Sequence, residues 1–495
     1  MESIRLNLQN LEKIPASVKK PVYKKSDLNP SIIHIGLGHF HRAHQAVYLD
    51  ELINRGLCSE GIFAINLIPD SFPVDAILKE QDYLYTLTTK NPKGETEARI
   101  IACLLGYINA AENKEPAIAR IADEKTRLIT LTVTESGYFY NKETGKPNIN
   151  EAVVKWDYEN PGNPKTAAGF LAAGLERRYR ENKKPLTIMC CDNVPENGHV
   201  LKSSVMFYCE KHYKEIIPWV QDQVSFPSSM VDRITPGTTP VMIKELEEKF
   251  GIIDKWPVCA EDYIQWVLED NFKTAVPDYK AAGVQIVEKA EPYEMMKMRL
   301  LNGSHSAMAY PGYLLGCRLV DEAVTHPLLS DFIRNRYMEE VTPTLEPVPG
   351  IDVNAYKNTL ISRFSNKNIS DTILRLTINS STKIPNFIFN PLTDAVRNGT
   401  GYSAICFAVA AWARFLAGKD EQGNDIPFND AKSPQMCAAA QTAQKDPNAF
   451  LVKAGLKNLS EAQFNSAAEI FKKYLDEIYQ KGIEAALREF LANKD

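Results

Sequence analysis

The sequence predicts an α/β fold: a doubly wound N-terminal half built on a parallel sheet, followed by a mainly α-helical C-terminal half. Three observations predict it. Apolar, β-branched runs alternate with helical segments through the first half. A glycine turn, "GLG", follows the first of those runs. From about Glu291 onward the runs give way to long segments with helical period.

The strand candidates are "SIIHIG" (31–36), "GIFAINLI" (61–68), "RLITLTVT" (127–134) and "PLTIMCCD" (185–192). Several are apolar throughout instead of alternating, as strands covered on both faces are. Between the last two lies "PKTAAGFLAAGLERRYREN" (164–182), whose Pro start, Ala/Leu content and charged tail predict a crossover helix. In the second half, "PYEMMKMRLLNGSHSAMAYPGYLLG", "LSDFIRNRYMEEV" and "SEAQFNSAAEIFKKYLDEIYQKGIEAALREFLA" predict helices. The expected domains are therefore 1–290, binding a dinucleotide, and 291–495, helical and catalytic.

A chain of 495 residues exceeds one core and implies two or three domains. With 44% hydrophobic and 24% charged residues it is compositionally an ordinary globular protein. A net charge of −5 without basic clusters argues against nucleic acid or an anionic membrane as partner. The longest apolar run, "SAICFAVAAWARFLAG" (403–418), is interrupted by Arg414 and too short to span a bilayer, so it predicts a buried helix. The N-terminus lacks the apolar core of a secretory signal. Nine cysteines without C-x-x-C pairs fit reduced thiols in the cytoplasm.

Gly36 and Gly38 stand between a strand and a helix, where a dinucleotide fold needs them: the first for a tight turn, the second for close approach of the pyrophosphate. His41 occupies the third position of G-x-G-x-x-G and breaks the strict fingerprint. The segment Ile35, Gly36, Leu37, Gly38, His39, Phe40, His41 and Arg42 is the expected cofactor loop, with the Arg42 guanidinium against a phosphate. The competing reading is a metal site on His39, His41 and His44. His39 and His41 face different sides of a helix, and the only other hint, "CEKH" (209–212), lacks a second ligand pair. Packing around a phosphate loop is the preferred reading, with no metal. Asp70, after the second strand, is expected to hold the ribose hydroxyls and favour NAD over NADP, while Ser71 leaves room for some NADP use.

Two more polar groups carry chemistry. Lys297, Asn302 and His305 fall at about 0°, 140° and 80° around an α-helix turning ~100° per residue, so they share less than half its surface. "CCDNVPENGH" puts Asp192 and Asn193 at the carboxyl end of a strand, where ligands of α/β sheets gather, although a Pro/Asn turn is the plainer reading. These residue types suit alcohol oxidation without metal. A lysine lowered from ~10.4 by burial and a positive nicotinamide takes the hydroxyl proton. Amides offer an oxyanion hole and a histidine orients the oxygen.

"GLGHFHRAH", "TVTESGY", "CDNVPENG", "FPSSMVDRITP", "QWVLEDNF" and "KMRLLNGSH", in this order, resemble the polyol-specific long-chain dehydrogenases and reductases over nearly the whole chain. "TPTLEPVPGID" and "RFSNKNISDT" resemble the mannitol-oxidising branch most. The resemblance implies a Rossmann-type first domain, a helical second domain and metal-independent, NAD-dependent interconversion of D-mannitol and D-fructose. It implies Lys297 as general acid/base, Asn193 and Asn302 as the oxyanion pocket, and His305 as the group orienting the carbinol oxygen. Glu135 would pass the proton to solvent, and Val231, Asp232, Arg375 and Lys383 would contact substrate. It also implies a monomer.

Ile378 departs from the pattern where some relatives carry His, which bears on polyol choice. Arabinitol is therefore a second candidate substrate. Uronate oxidoreductases of the fructuronate or tagaturonate reductase type, sharing "MMK-x-R-x-LNGSH", are the alternative, with Arg375 or Lys383 pairing the carboxylate. A non-catalytic dinucleotide sensor would have no use for Lys297, Asn302 and His305.

Overall fold

The computed structural model describes residues 3–69, 73–141, 144–427, 430 and 433–493. The chain forms two compact units, Met1–Glu291 and Pro292–Asp495.

The first unit is organised by a six-stranded sheet. Its strands are β1 (Asn29–Ile35), β2 (Glu60–Asn66), β3 (Leu104–Asn109), β4 (Leu128–Leu131), β5 (Leu186–Cys190) and β6 (Val224–Ser225). They lie in the order β6-β5-β4-β1-β2-β3, every neighbouring pair parallel. This is the order of a doubly wound dinucleotide-binding sheet, and it reverses direction between β1 and β4.

Apolar side chains project from both faces, which explains why these strands read as unbroken runs. Ile33, Ile35, Ile129 and Leu131 pack into one core with the helices Glu115–Ala122, Ala167–Glu181 and Asn197–His212. Ile32, Ile62, Leu128 and Met189 pack into the other with the helix Gln45–Asn54 and Trp266. Each such side chain stabilises the fold by about 1.5–3 kcal/mol. The expected crossover helix is Ala167–Glu181; Thr166 caps it, its hydroxyl accepting from the Gly169 N–H at 3.0 Å. Among the described residues four smaller sheets complete the unit, one of them pairing Ser229–Asp232 with Gln265–Glu269.

The named strands all lie in the first unit; in the second, the named elements of the described residues are helices. Gly303–Leu314 is buried along its entire length, and Ser403–Leu416 almost so, which identifies the longest apolar run as a core helix. Among the described residues no helix is long and apolar enough to cross a membrane.

One expectation about local geometry is corrected. Lys297–Asn302 is not α-helical but a π-helical turn leading into Gly303–Leu314. In a π turn the hydrogen bond runs from i to i+5, the spacing of Lys297 and Asn302, so the two residues stack more nearly above one another than α-helical angles imply.

Candidate functional site

In the first unit the polar residues gather at the carboxyl ends of β1, β4 and β5. Gly36 follows β1 with φ 96°, and a Cβ there would stand 2.1 Å from the Thr132 carbonyl oxygen just beyond β4. The chain's own packing therefore demands glycine at this position. Gly38 is different. Its φ of −107° suits any residue, and a Cβ on it would find nothing closer than the Gly36 oxygen at 4.0 Å. The space it leaves open lies at the switch point of the sheet, where a pyrophosphate binds in this architecture. The residues present thus fit a dinucleotide.

The three histidines of the loop are dispersed by the fold. The helix after the turn is broken at His44 into His39–Ala43 and Gln45–Asn54, so the side chains do not share a face. His39 is exposed. His41 is buried and stacks on His34 of β1 at 3.4 Å between ring centroids. The His34 ring lies 2.7 Å from the Thr130 hydroxyl and 2.8 Å from that of Thr132. Burial lowers the His34 pKa to about 3 and pushes that of His41 well below its usual value. His44 Nε2 lies 2.8 Å from the Gln265 carbonyl. Among the described residues no three His, Cys, Asp or Glu side chains are grouped to hold a metal ion.

Arg42 is held by the protein itself. It is fully buried, its guanidinium 3.6 Å from the Trp256 ring, with Nη1 donating to the Trp256 carbonyl at 2.5 Å and Nε to the Gly38 carbonyl at 3.4 Å. It braces the loop from behind, with Nη2 buried and lacking a hydrogen-bond partner. Of the other loop residues, Ile35 and Leu37 are buried and Phe40 half-buried. Asp70 and Ser71 lie outside the described residues.

Glu135 opens a short 3-10 turn after β4 and is exposed, as is Asn193 after β5. Between them Asp192 is buried. Its carboxylate accepts from the Val133 and Thr134 N–H groups at 3.0 and 2.9 Å and from the Tyr138 hydroxyl at 2.7 Å. Burial raises its pKa to about 6 despite these donors. Val231 packs in the core beside Trp266, and Asp232, 4% exposed, ends the same strand.

In the second unit, Lys297 is 5% exposed and Asn302 half-buried, its amide nitrogen 3.2 Å from the Met298 sulfur. His305 is buried against Phe364, with its Nε2 lacking a hydrogen-bond partner. Its pKa is held well below the usual value, first by burial and then by the cations Arg375, Arg363, Lys383 and Lys297. Lys297, Arg375 and Lys383, three sequence-predicted residues, thus act electrostatically on His305, a fourth. Arg363, which is buried, joins them and was not legible as a site residue. Its place in "LISRF" of an ordinary-looking helix carried no signal. Arg375 makes a two-point ion pair with Asp371, and Lys383 Nζ donates to the Leu376 carbonyl at 3.2 Å.

Comparison with known proteins identifies the family. Residues 30–281 match the family model of the mannitol dehydrogenase Rossmann domain, and residues 289–476 that of the mannitol dehydrogenase C-terminal domain. Mannitol 2-dehydrogenase of Aspergillus fumigatus is 38% identical over 91% of this chain and 92% of its own. That of Pyricularia oryzae is 35% identical over 99% of each. Among solved structures, the ternary complex of Pseudomonas fluorescens mannitol 2-dehydrogenase with NAD and D-mannitol superposes with a TM-score of 0.91 at 34% identity, covering 99% of this chain and 100% of that one. A D-sorbitol dehydrogenase follows with a TM-score of 0.85 at 31% identity, covering 97% of this chain and 100% of that one. The chain belongs to the mannitol dehydrogenase family.

Proposed function

We propose that the protein catalyses the reversible, NAD-dependent oxidation of D-mannitol at C2 to D-fructose. The observation that carries this reading is a buried lysine beside a neutral, buried histidine whose Nε2 has no partner, in a chain whose relatives are mannitol 2-dehydrogenases. Bound NAD supplies the acceptor for the C2 hydride.

The chain's own residues do the rest. The Gly36–Gly38 turn and the first N–H groups of the helix after it cradle the pyrophosphate. Asp70 is assigned to the ribose and to NAD preference. Lys297 takes the C2 hydroxyl proton during oxidation and returns it during reduction. Asn193 and Asn302 donate to the developing alkoxide. Neutral His305 fixes the carbinol oxygen through Nε2. Exposed Glu135 exchanges the proton with solvent. Val231, Asp232, Arg375 and Lys383 are assigned to the remaining hydroxyls.

A uronate reductase reading gains support from the cations around His305, which suit a carboxylate. Against it, Arg375 is already committed to Asp371. The nine cysteines are all free thiols, which supports a cytoplasmic location, and we read the protein as a monomer. The test follows NADH absorbance with D-mannitol, D-arabinitol, D-sorbitol, fructuronate and tagaturonate. The highest kcat/KM is expected with D-mannitol, and a preference for either uronate would overturn the proposal.

A further inference from the structure

Asp192 and Asn197 are buried, polar and outside every role assigned above, yet between them they join three segments that carry proposed site residues. The Asp192 carboxylate holds the Val133 and Thr134 N–H groups and the Tyr138 hydroxyl, and so grips both ends of the Glu135 turn. Its main-chain carbonyl accepts from the Val194 N–H at 2.9 Å, closing the turn on Asn193. The same carbonyl accepts from Asn197 Nδ2 at 3.0 Å. That amide also donates to the Ser229 carbonyl at 2.7 Å, while Asn197 Oδ1 accepts from the Ser229 N–H at 3.0 Å. Ser229 begins the strand that ends at Asp232.

The clamp also does something a purely stabilising network has no reason to do. Thr134 sits at φ 66°, ψ 160°, a region that β-branched residues avoid and that persists only where surrounding contacts enforce it. Its N–H is one of the two backbone N–H groups that the Asp192 carboxylate holds. Such enforced backbone is characteristic of sites where a following group must be aimed, and the following residue is Glu135.

We infer that Asp192 and Asn197 are positioning residues: together they fix Glu135 and Asn193, at the carboxyl ends of β4 and β5, and tie them to the strand that ends at Asp232. Asp192 does so through its side chain for Glu135 and through its carbonyl for Asn193. Asn197 ties that carbonyl to the strand of Asp232. The inference rests on the proposed dehydrogenase reading, because it is those three residues that the clamp aims.

The test uses the full-length protein and its Asp192→Asn and Tyr138→Phe variants. Asparagine keeps the size of the side chain but replaces one acceptor by a donor facing the backbone N–H groups, whereas Tyr138→Phe removes one donor of three. Asp192→Asn should lower kcat for polyol oxidation at least tenfold with KM for NAD within about twofold. Exchange of the Val133 and Thr134 amide hydrogens should speed up at least tenfold. Tyr138→Phe should lower kcat about threefold with the same split, and it decides the question alone should Asp192→Asn not fold.

Faster amide exchange with unchanged kcat would overturn the inference, as would kcat and NAD affinity falling together in step with the folded fraction. Unchanged exchange would also overturn it. A wild-type protein inactive on D-mannitol would instead count against the substrate assignment. The kinetic comparison would then use whichever compound of the panel is turned over, and the exchange measurement requires no substrate.

Discussion

Gly36 and Thr132 meet backbone to backbone: with Gly36 at φ 96°, a Cβ on it would stand 2.1 Å from the Thr132 carbonyl oxygen. Neither atom belongs to a flexible side chain, so an alanine has no rotamer by which to escape. Gly36→Ala should destabilise the first unit by about 2 kcal/mol or more, combining the strained φ with the displacement of β4 from β1. NADH affinity, measured by fluorescence titration of the folded protein, should fall by more than tenfold. Gly38→Ala should leave stability nearly unchanged and weaken NADH binding alone, because the protein itself leaves that Cβ room.

Arg42 separates a brace from a phosphate ligand. Arg42→Met removes a guanidinium stacked on Trp256 and a hydrogen bond to its carbonyl, which should cost about 2–4 kcal/mol in urea unfolding. NADH affinity of the folded variant should change less than about threefold. Unaltered stability with much weaker, salt-sensitive NADH binding would return Arg42 to the phosphate.

His305 makes a prediction about acid. Burial, then Arg375, Arg363, Lys383 and Lys297, hold its folded-state pKa far below its usual value of 6.5. The native state therefore binds fewer protons at this residue than the unfolded chain once pH drops below about 6.5, and stability is lost as pH falls. Replacing it by Asn removes that loss. The stability difference between wild type and His305→Asn should shift by about 1.4 kcal/mol in the variant's favour between pH 7.5 and 5.5. No shift would mean that the imidazole is protonated in the folded protein, and that its role as a neutral partner is wrong.

Lys297→Ala should lower kcat by a factor on the order of 10²–10⁴, the usual contribution of positioned proton transfer, with NADH affinity nearly unchanged. Loss of substrate affinity alone would make Lys297 a binding residue and His305 the next candidate for the base.

The strands of the first unit were legible because burial on both faces leaves an unbroken apolar signature, and the helix Ala167–Glu181 because its cap and composition agree. The glycine turn was legible for the same local reason. Its neighbours were not: Arg42 and His41 adjoin the loop in sequence, but one stacks on Trp256 and the other on His34, and both partners were out of local view. Lys297, Asn302 and His305 stand out in the sequence by spacing, although the α-helical angles expected there are replaced by a π turn. Asp192 was legible as a turn residue at a strand end. The clamp it forms, and the place of Arg363 beside His305, depend on tertiary contacts that carry no periodic or spacing signal.

The central claim is that the C2 hydrogen of D-mannitol leaves as hydride for NAD while its hydroxyl proton goes to the protein. Incubating the enzyme with NAD and D-mannitol deuterated at C2 and C5, then recovering both products, tests it most directly. The account predicts D-fructose and deuterium-labelled NADH in equal amounts, with the label on the nicotinamide ring and none released to water. Label released to water, or no D-fructose formed while the uronates are reduced, would contradict it.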